Sequence, residues 1–206
     1  MADGWMLQCS SSAGSRRNIP FNPESAALLI LDVQDFFLKS ESHAFVPSAF
    51  SIIDNVNTLA SAFRERGRPV IFTKHIVREG REGVAKFWWG DLLDENHPHV
   101  GFSSDMNIDE KDLILEKDRY SAFCATDLEE ILHKMGVEQL IIAGVTTHLC
   151  VESTARDGFM RDLLNWVVVD ATADWNEDYH VNSLKATSHG FSSLVKTGGV
   201  LDWMKM

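Results

Sequence analysis

The segment Ala26–Leu31, AALLIL, is apolar at every position and ends against an acid, Asp32. An amphipathic helix or a half-solvated strand would interleave polar residues at a period of 3.6 or 2. An unbroken run of this length suits a strand buried on both faces, as in a parallel sheet covered by helices. Shorter runs of the same kind recur at Val70–Thr73, Asp112–Leu115, Leu140–Ala143 and Trp166–Val169, with a weaker one at Ser193–Lys196. Helical patterns lie between them. Ser48–Arg66 places Ile52, Ile53, Val56, Leu59, Ala60 and Phe63 at helical spacing before Gly67, and Asp127–Met135, Cys150–Asp162 and Glu177–Ser188 read the same way. Strands separated by helices predict an α/β fold, a parallel sheet joined by right-handed crossovers.

In such sheets sites form at the carboxyl ends of the strands. That expectation gathers Asp32, Lys117 and the turn Gly144–Cys150 at one sheet edge, although they are far apart in the chain. The stretch 76–110 has weak periodicity and holds Trp88, Trp89, His97 and His99. It reads as an excursion over the sheet, either a lid or an oligomer contact. With 206 residues the chain suits one domain, here 21–206, preceded by an irregular arm, 1–20.

Composition narrows the partners. Acidic residues outnumber basic ones by 30 to 19, for a net charge of −11, and no Lys/Arg-rich run is present. This argues against nucleic acid as a partner. No apolar run approaches the roughly 18 residues of a membrane span, and the first twenty residues lack a signal-peptide apolar core. The expectation is therefore a cytoplasmic protein. Three cysteines, Cys9, Cys124 and Cys150, form neither a disulfide framework nor a zinc pattern.

Cys150 follows a strand and the turn GVTTHL and opens a helix. A helix N-terminus favours the thiolate, the reactive form; the alternative is an inert buried thiol. Asp32 at a strand end is costly to bury without a partner, and its alternative is a loop cap. Lys117, in EKDRYSAF, would ordinarily be a solvated surface lysine. Convergence of all three at one edge favours a catalytic set.

The segments LLILDVQDFF, EKDRYSAF and GVTTHLCVESTARDGFMRD resemble the three catalytic motifs of the isochorismatase-like cysteine hydrolase superfamily, in the family order, across about Ala26 to Val200. The resemblance implies a three-layer α/β/α fold with a six-stranded parallel sheet of order 3-2-1-4-5-6. It implies an Asp–Lys–Cys triad at Asp32, Lys117 and Cys150. It further implies a non-proline cis peptide at Val145–Thr146, an oxyanion hole from the Thr146 and Cys150 N–H groups, no cofactor, and a homo-oligomer. The implied reaction is cleavage of a small C–N bond (amide, carbamoyl or ureido) through a thioester.

Two departures qualify this. Nicotinamidases of the superfamily share an Asp-x-His metal motif after the second strand; this chain has Thr73-Lys74-His75, so no metal is expected, and His75, His97 and His99 read as scattered histidines. DVQDFF, KFWWGDLL and ADWNEDYHVNSLK look closer to isochorismatases, which cleave a vinyl ether with the Asp and carry Gly at the nucleophile position. Cys150 stands where that Gly would be. Isochorismatase activity, and a non-catalytic binding module of the same fold, are the alternatives. Phe37, Trp88 and Trp89 are candidate substrate contacts. Arg156 is expected to pair with Asp157 or a partner subunit, and Thr147 and His148 to shape the turn.

Overall fold

The computed structural model describes residues 1–10 and 19–205. After helix α1 (Ala2–Ser10) the order is β1 (Ala26–Leu31), α2 (Asp35–Leu38), α3 (Ile53–Glu65), β2 (Val70–His75), α4 (Ala85–Trp89), β3 (Leu113–Lys117) and α5 (Leu128–Lys134). Then come β4 (Gln139–Val145), a π-turn at Thr147–Val151, α6 (Glu152–Phe159), β5 (Leu164–Ala173), α7 (Glu177–Gly190), β6 (Ser193–Val195) and α8 (Thr197–Lys205). The six strands form one sheet in the order β3-β2-β1-β4-β5-β6, and every neighbouring pair is parallel.

The apolar run of β1 is explained by its position. Ala26, Leu28 and Ile30 face one cluster, with Val56, Leu59 and Phe63 of α3 and Val200 and Met204 of α8. Ala27, Leu29 and Leu31 face the other, with Leu128 and Leu132 of α5, Ala155 of α6 and Leu184 of α7. A central strand with helices on both sides has no solvated face to mark with polar residues.

The irregular N-terminal arm needs correction. Residues 2–10 are helical, and Ala2, Trp5, Met6 and Cys9 join the second cluster. Trp5 donates from Nε1 to Glu177 at 2.8 Å and lies edge-on to His180. Burial against α7, rather than local periodicity, sets this helix. Residues 11–18 of the expected arm lie outside the described residues.

The sequence boundaries match β1 but stop short of the carboxyl ends of β2, β3, β4 and β5. β3 extends through Glu116 and Lys117, so Lys117 ends a strand rather than following one. β3 is an edge strand, and its alternating exposure admits charges that break the apolar run. The C-terminal helix α8 carried no expectation. Among the described residues no helix is long and apolar enough to cross a membrane.

Candidate active site

Strand order reverses between β1 and β4, and the crevice outside their carboxyl ends is the usual ligand position in such sheets. Gly144 makes the approach of these strands possible. It lies opposite Leu31, its φ is +109°, and a Cβ there would collide with the Leu31 backbone. Only glycine fits. The chain then passes through a cis Val145–Thr146 peptide into the π-turn that carries Cys150.

Asp32 leaves β1 with φ +54°, a left-handed conformation that costs a non-glycine residue on the order of 1 kcal/mol. Thr73, on the neighbouring β2, holds it: the Thr73 hydroxyl donates to Asp32 Oδ1 at 2.6 Å and accepts the Asp32 N–H at 3.2 Å. Lys117 belongs to β3, two strands away, and its long side chain spans the gap. Its Nζ lies 2.7 Å from Asp32 Oδ2, 3.4 Å from Cys150 Sγ and 2.9 Å from the Arg119 carbonyl. Both charged side chains are fully buried, so each depends on the other for its charge.

Burial would push the Lys117 ammonium down, but the Asp32 carboxylate and the Cys150 sulfur together hold it above its ordinary value. Burial pushes the Cys150 thiol up to about 12; Asp32 adds to this, and Lys117 only partly opposes it. The thiolate expected from a helix N-terminus is therefore corrected. Cys150 sits inside the π-turn, ahead of α6 rather than at its first turn, and burial favours the protonated thiol. The direction of the shift is thus toward a thiol beside the Lys117–Asp32 ion pair.

Cys150 opens on a small chamber of about 70 Å³, whose lining includes Phe37, His75, Trp89, Tyr120, Thr146 and Trp175. A larger vestibule of about 560 Å³ adjoins it. Trp89, Tyr120 and Trp175 border both spaces. Trp89 donates to the Tyr120 hydroxyl at 2.9 Å and meets Trp175 edge-on at 5.7 Å. Of the candidate contacts, Phe37 and Trp89 line the chamber. Trp88 lines only the vestibule and is 78% exposed.

Burial, reinforced by the Lys117 charge, pushes His75 down to about 4, so it is neutral in this site, and its Nδ1 has no partner among the described residues. His97 and His99 lie together at a ring distance of 5.5 Å, facing Asp91 and Glu41. Among the described residues no group of three His, Cys, Asp or Glu side chains is placed to hold a metal ion.

Other residues escaped the sequence reading. Thr73 stood out there only as a missing metal ligand. Gln34 latches the excursion: it accepts from the His75 N–H and donates to the His75 and Val100 carbonyls. Ser121 donates to Asp157 and Thr154 accepts from the Ala122 N–H, which ties the loop after Lys117 to α6. Arg156 pairs with Glu152 and covers the Phe191 ring, while Asp157 pairs with Arg161. The expected Arg156–Asp157 pair fails because adjacent helical positions do not face each other. Thr147 does shape the turn, donating to the Ala173 carbonyl at 3.1 Å.

A three-layer parallel α/β domain with a carboxylate, an ammonium and a thiol at its switch point defines a class of small-molecule hydrolase folds. The isochorismatase domain model matches residues 26–198, and the chain belongs to the isochorismatase family of hydrolases. It is 34% identical to enterobactin synthase component B of Escherichia coli (strain K12) over 88% of this chain and 64% of that protein. The chain thus spans less than two thirds of that relative. It is also 34% identical to nicotinamidase 3 of Arabidopsis thaliana, covering 84% of this chain and 86% of the relative. A cysteine hydrolase from Pseudomonas syringae pv. phaseolicola 1448A superimposes with a TM-score of 0.88 at 26% identity, covering 93% and 98% of the two chains.

Proposed function

We propose that this chain is a cysteine-dependent hydrolase that cleaves the C–N bond of a small amide, with Cys150 as nucleophile, Asp32 as proton carrier and Lys117 as the fixed cation between them. One observation carries the reading: Lys117 Nζ lies within 2.7 Å of Asp32 and 3.4 Å of Cys150 in a cluster closed to solvent.

Because the thiol is protonated at rest, attack and proton removal are coupled. Cys150 gives its proton to Asp32 as the S–C bond forms, and the carbonyl π pair moves onto oxygen. The N–H groups of Thr146 and Cys150 then hold the oxyanion; one such donor is typically worth about 10²–10³ in rate. When the intermediate collapses the C–N bond breaks, and Asp32 passes its proton to the departing amine. Water enters, gives a proton to Asp32 and attacks the thioester. The carboxylic acid leaves and the thiol recovers its proton.

Isochorismatase activity is the second reading, favoured by the likeness to enterobactin synthase component B. Against it, the chamber lining holds Asp91 and no Arg or Lys, and the adjoining vestibule sets Arg119 among Glu82 and Asp118, a poor match for a substrate bearing two carboxylates. The test is a panel of ureido, carbamoyl, biuret-like and nicotinamide-like amides assayed for ammonia or amine, with rapid quench and mass spectrometry during turnover. An acyl adduct on Cys150 is expected. Cleavage of isochorismate alone, equally fast in wild type and Cys150→Ala, would overturn the thiol mechanism. Chelation is expected to leave amide turnover unchanged; loss on chelation with recovery on refilling by zinc or iron would contradict a metal-free site.

A further inference from the structure

The vestibule contains a second polar arrangement that the mechanism above does not use. His148 lies in the same turn as Cys150, but it lines the vestibule rather than the thiol chamber. Its Nδ1 is 2.8 Å from each carboxylate oxygen of Asp174. The Asp174 side chain has no exposed surface, and it takes two more donors, the backbone N–H of His148 at 2.7 Å and that of Trp175 at 2.8 Å. An ionised carboxylate only accepts, so Nδ1 carries a ring proton, and in the neutral ring Nε2, on the opposite edge, presents a lone pair. The ring is also clamped, stacked on Tyr179 at 4.6 Å and 15° and lying 5.7 Å from Trp175.

A histidine that merely shaped a turn would not need a buried carboxylate to fix its tautomer, since burying that charge carries a cost of its own. The environment supplies the rest. A 70 Å³ chamber holds roughly five water-sized positions, enough for a scissile amide and little more. The remainder of any substrate lies in the vestibule, passing Trp89 and Trp175, which border both spaces. Those flat faces select a flat group, and His148 is positioned beside it.

We propose that His148 is a substrate-positioning residue whose Nε2 accepts a hydrogen bond from an N–H or O–H at the far end of a planar amide while the carbonyl end occupies the thiol chamber. The substrate class is then a flat, conjugated amide with a hydrogen-bond donor distal to the scissile bond. Asp174 acts only through His148. The inference rests on the thiol reading above, and its failure is separable from that reading.

Aldehydes make the test possible without the natural substrate. A thiol adds to an aldehyde to give a thiohemiacetal: the S–C bond forms, the carbonyl π bond opens, and the thiol proton passes to the oxygen. The probes are benzaldehyde and its 3- and 4-hydroxy derivatives, titrated calorimetrically into the full chain. Wild type, Cys150→Ala, His148→Phe and His148→Gln are compared. In wild type the better hydroxybenzaldehyde is expected to bind about tenfold tighter than benzaldehyde, the worth of one neutral hydrogen bond. His148→Phe keeps a flat ring against Tyr179 and should abolish that preference. His148→Gln restores an acceptor and should recover part of it. No preference in wild type, or the same preference in His148→Phe, overturns the positioning role alone. Binding that is identical in wild type and Cys150→Ala overturns the thiol reading and this inference with it.

Discussion

The two sides of the thiol chamber are held in different ways. On the sheet side, Asp32 and Lys117 at the ends of β1 and β3 and Thr73 within β2 between them have their side chains tied to one another out of solvent. On the other side, the excursion 76–110 is held at its base and its return, through Ile76 to the Lys117 carbonyl and through Gln34 to Val100, and in between by side-chain pairs nearer the surface, among them Arg78 with Glu116, Arg81 with Asp118 and Trp89 with Tyr120. Between those ties it exposes Val84, Phe87 and Trp88, at 83%, 90% and 78%. The sheet side has one arrangement because moving any member strands a buried charge. The excursion can vary in sequence without disturbing that set. On the proposed reading, reaction chemistry falls to the sheet side, and the excursion contributes Trp89 to the walls that meet the substrate.

Four measurements sharpen or break this division, from the largest expected effect downward. Cys150→Ala is expected to lower amide turnover by roughly 10⁴–10⁶, the range seen when a nucleophile is removed, while circular dichroism and the unfolding midpoint stay near wild type. Retained turnover would move the chemistry off the sheet side. Lys117→Met leaves Asp32 buried without its cation, and such a loss typically costs about 3–5 kcal/mol. Urea unfolding reads that cost directly, and a loss below about 1 kcal/mol, the usual worth of an exposed pair, would mean that the centre is wetter than its burial indicates.

The third is alkaline sensitivity. Folding raises Cys150 from its ordinary 9.0 to about 12. The unfolded chain therefore loses this proton first, and the folded state is penalised as pH rises. The contribution is intact below pH 9 and disappears through about pH 12. Lys117, also raised, acts with the same sign. Stability measured from pH 8 to 11 should fall, and Cys150→Ala should fall less steeply; equal slopes would show that the thiol is not desolvated. Smallest is Trp88→Ala on the excursion, expected to change stability by under about 0.5 kcal/mol because the ring is largely exposed. A multi-kilocalorie loss would show that the excursion is held as firmly as the sheet side.

Read alone, the chain determined the periodic and local features. Six apolar runs separated by helical patterns specify a covered parallel sheet, because a strand buried on both faces has no polar side to encode. Strand ends then mark Asp32, Lys117 and Cys150 as neighbours, since a parallel sheet brings its carboxyl ends to one edge. The N-terminal helix was not legible, because burial against α7 rather than its own periodicity holds it. Tertiary structure alone decided the surroundings of Cys150, where a local helix-end argument points to thiolate and burial favours the thiol. It also decided that Thr73 anchors Asp32, that Trp89 rather than Trp88 reaches the chamber, and that Asp174 orients His148 from 26 positions away. Each depends on distance and on exclusion of water between residues remote in sequence, and the period of side chains along a strand or helix encodes neither.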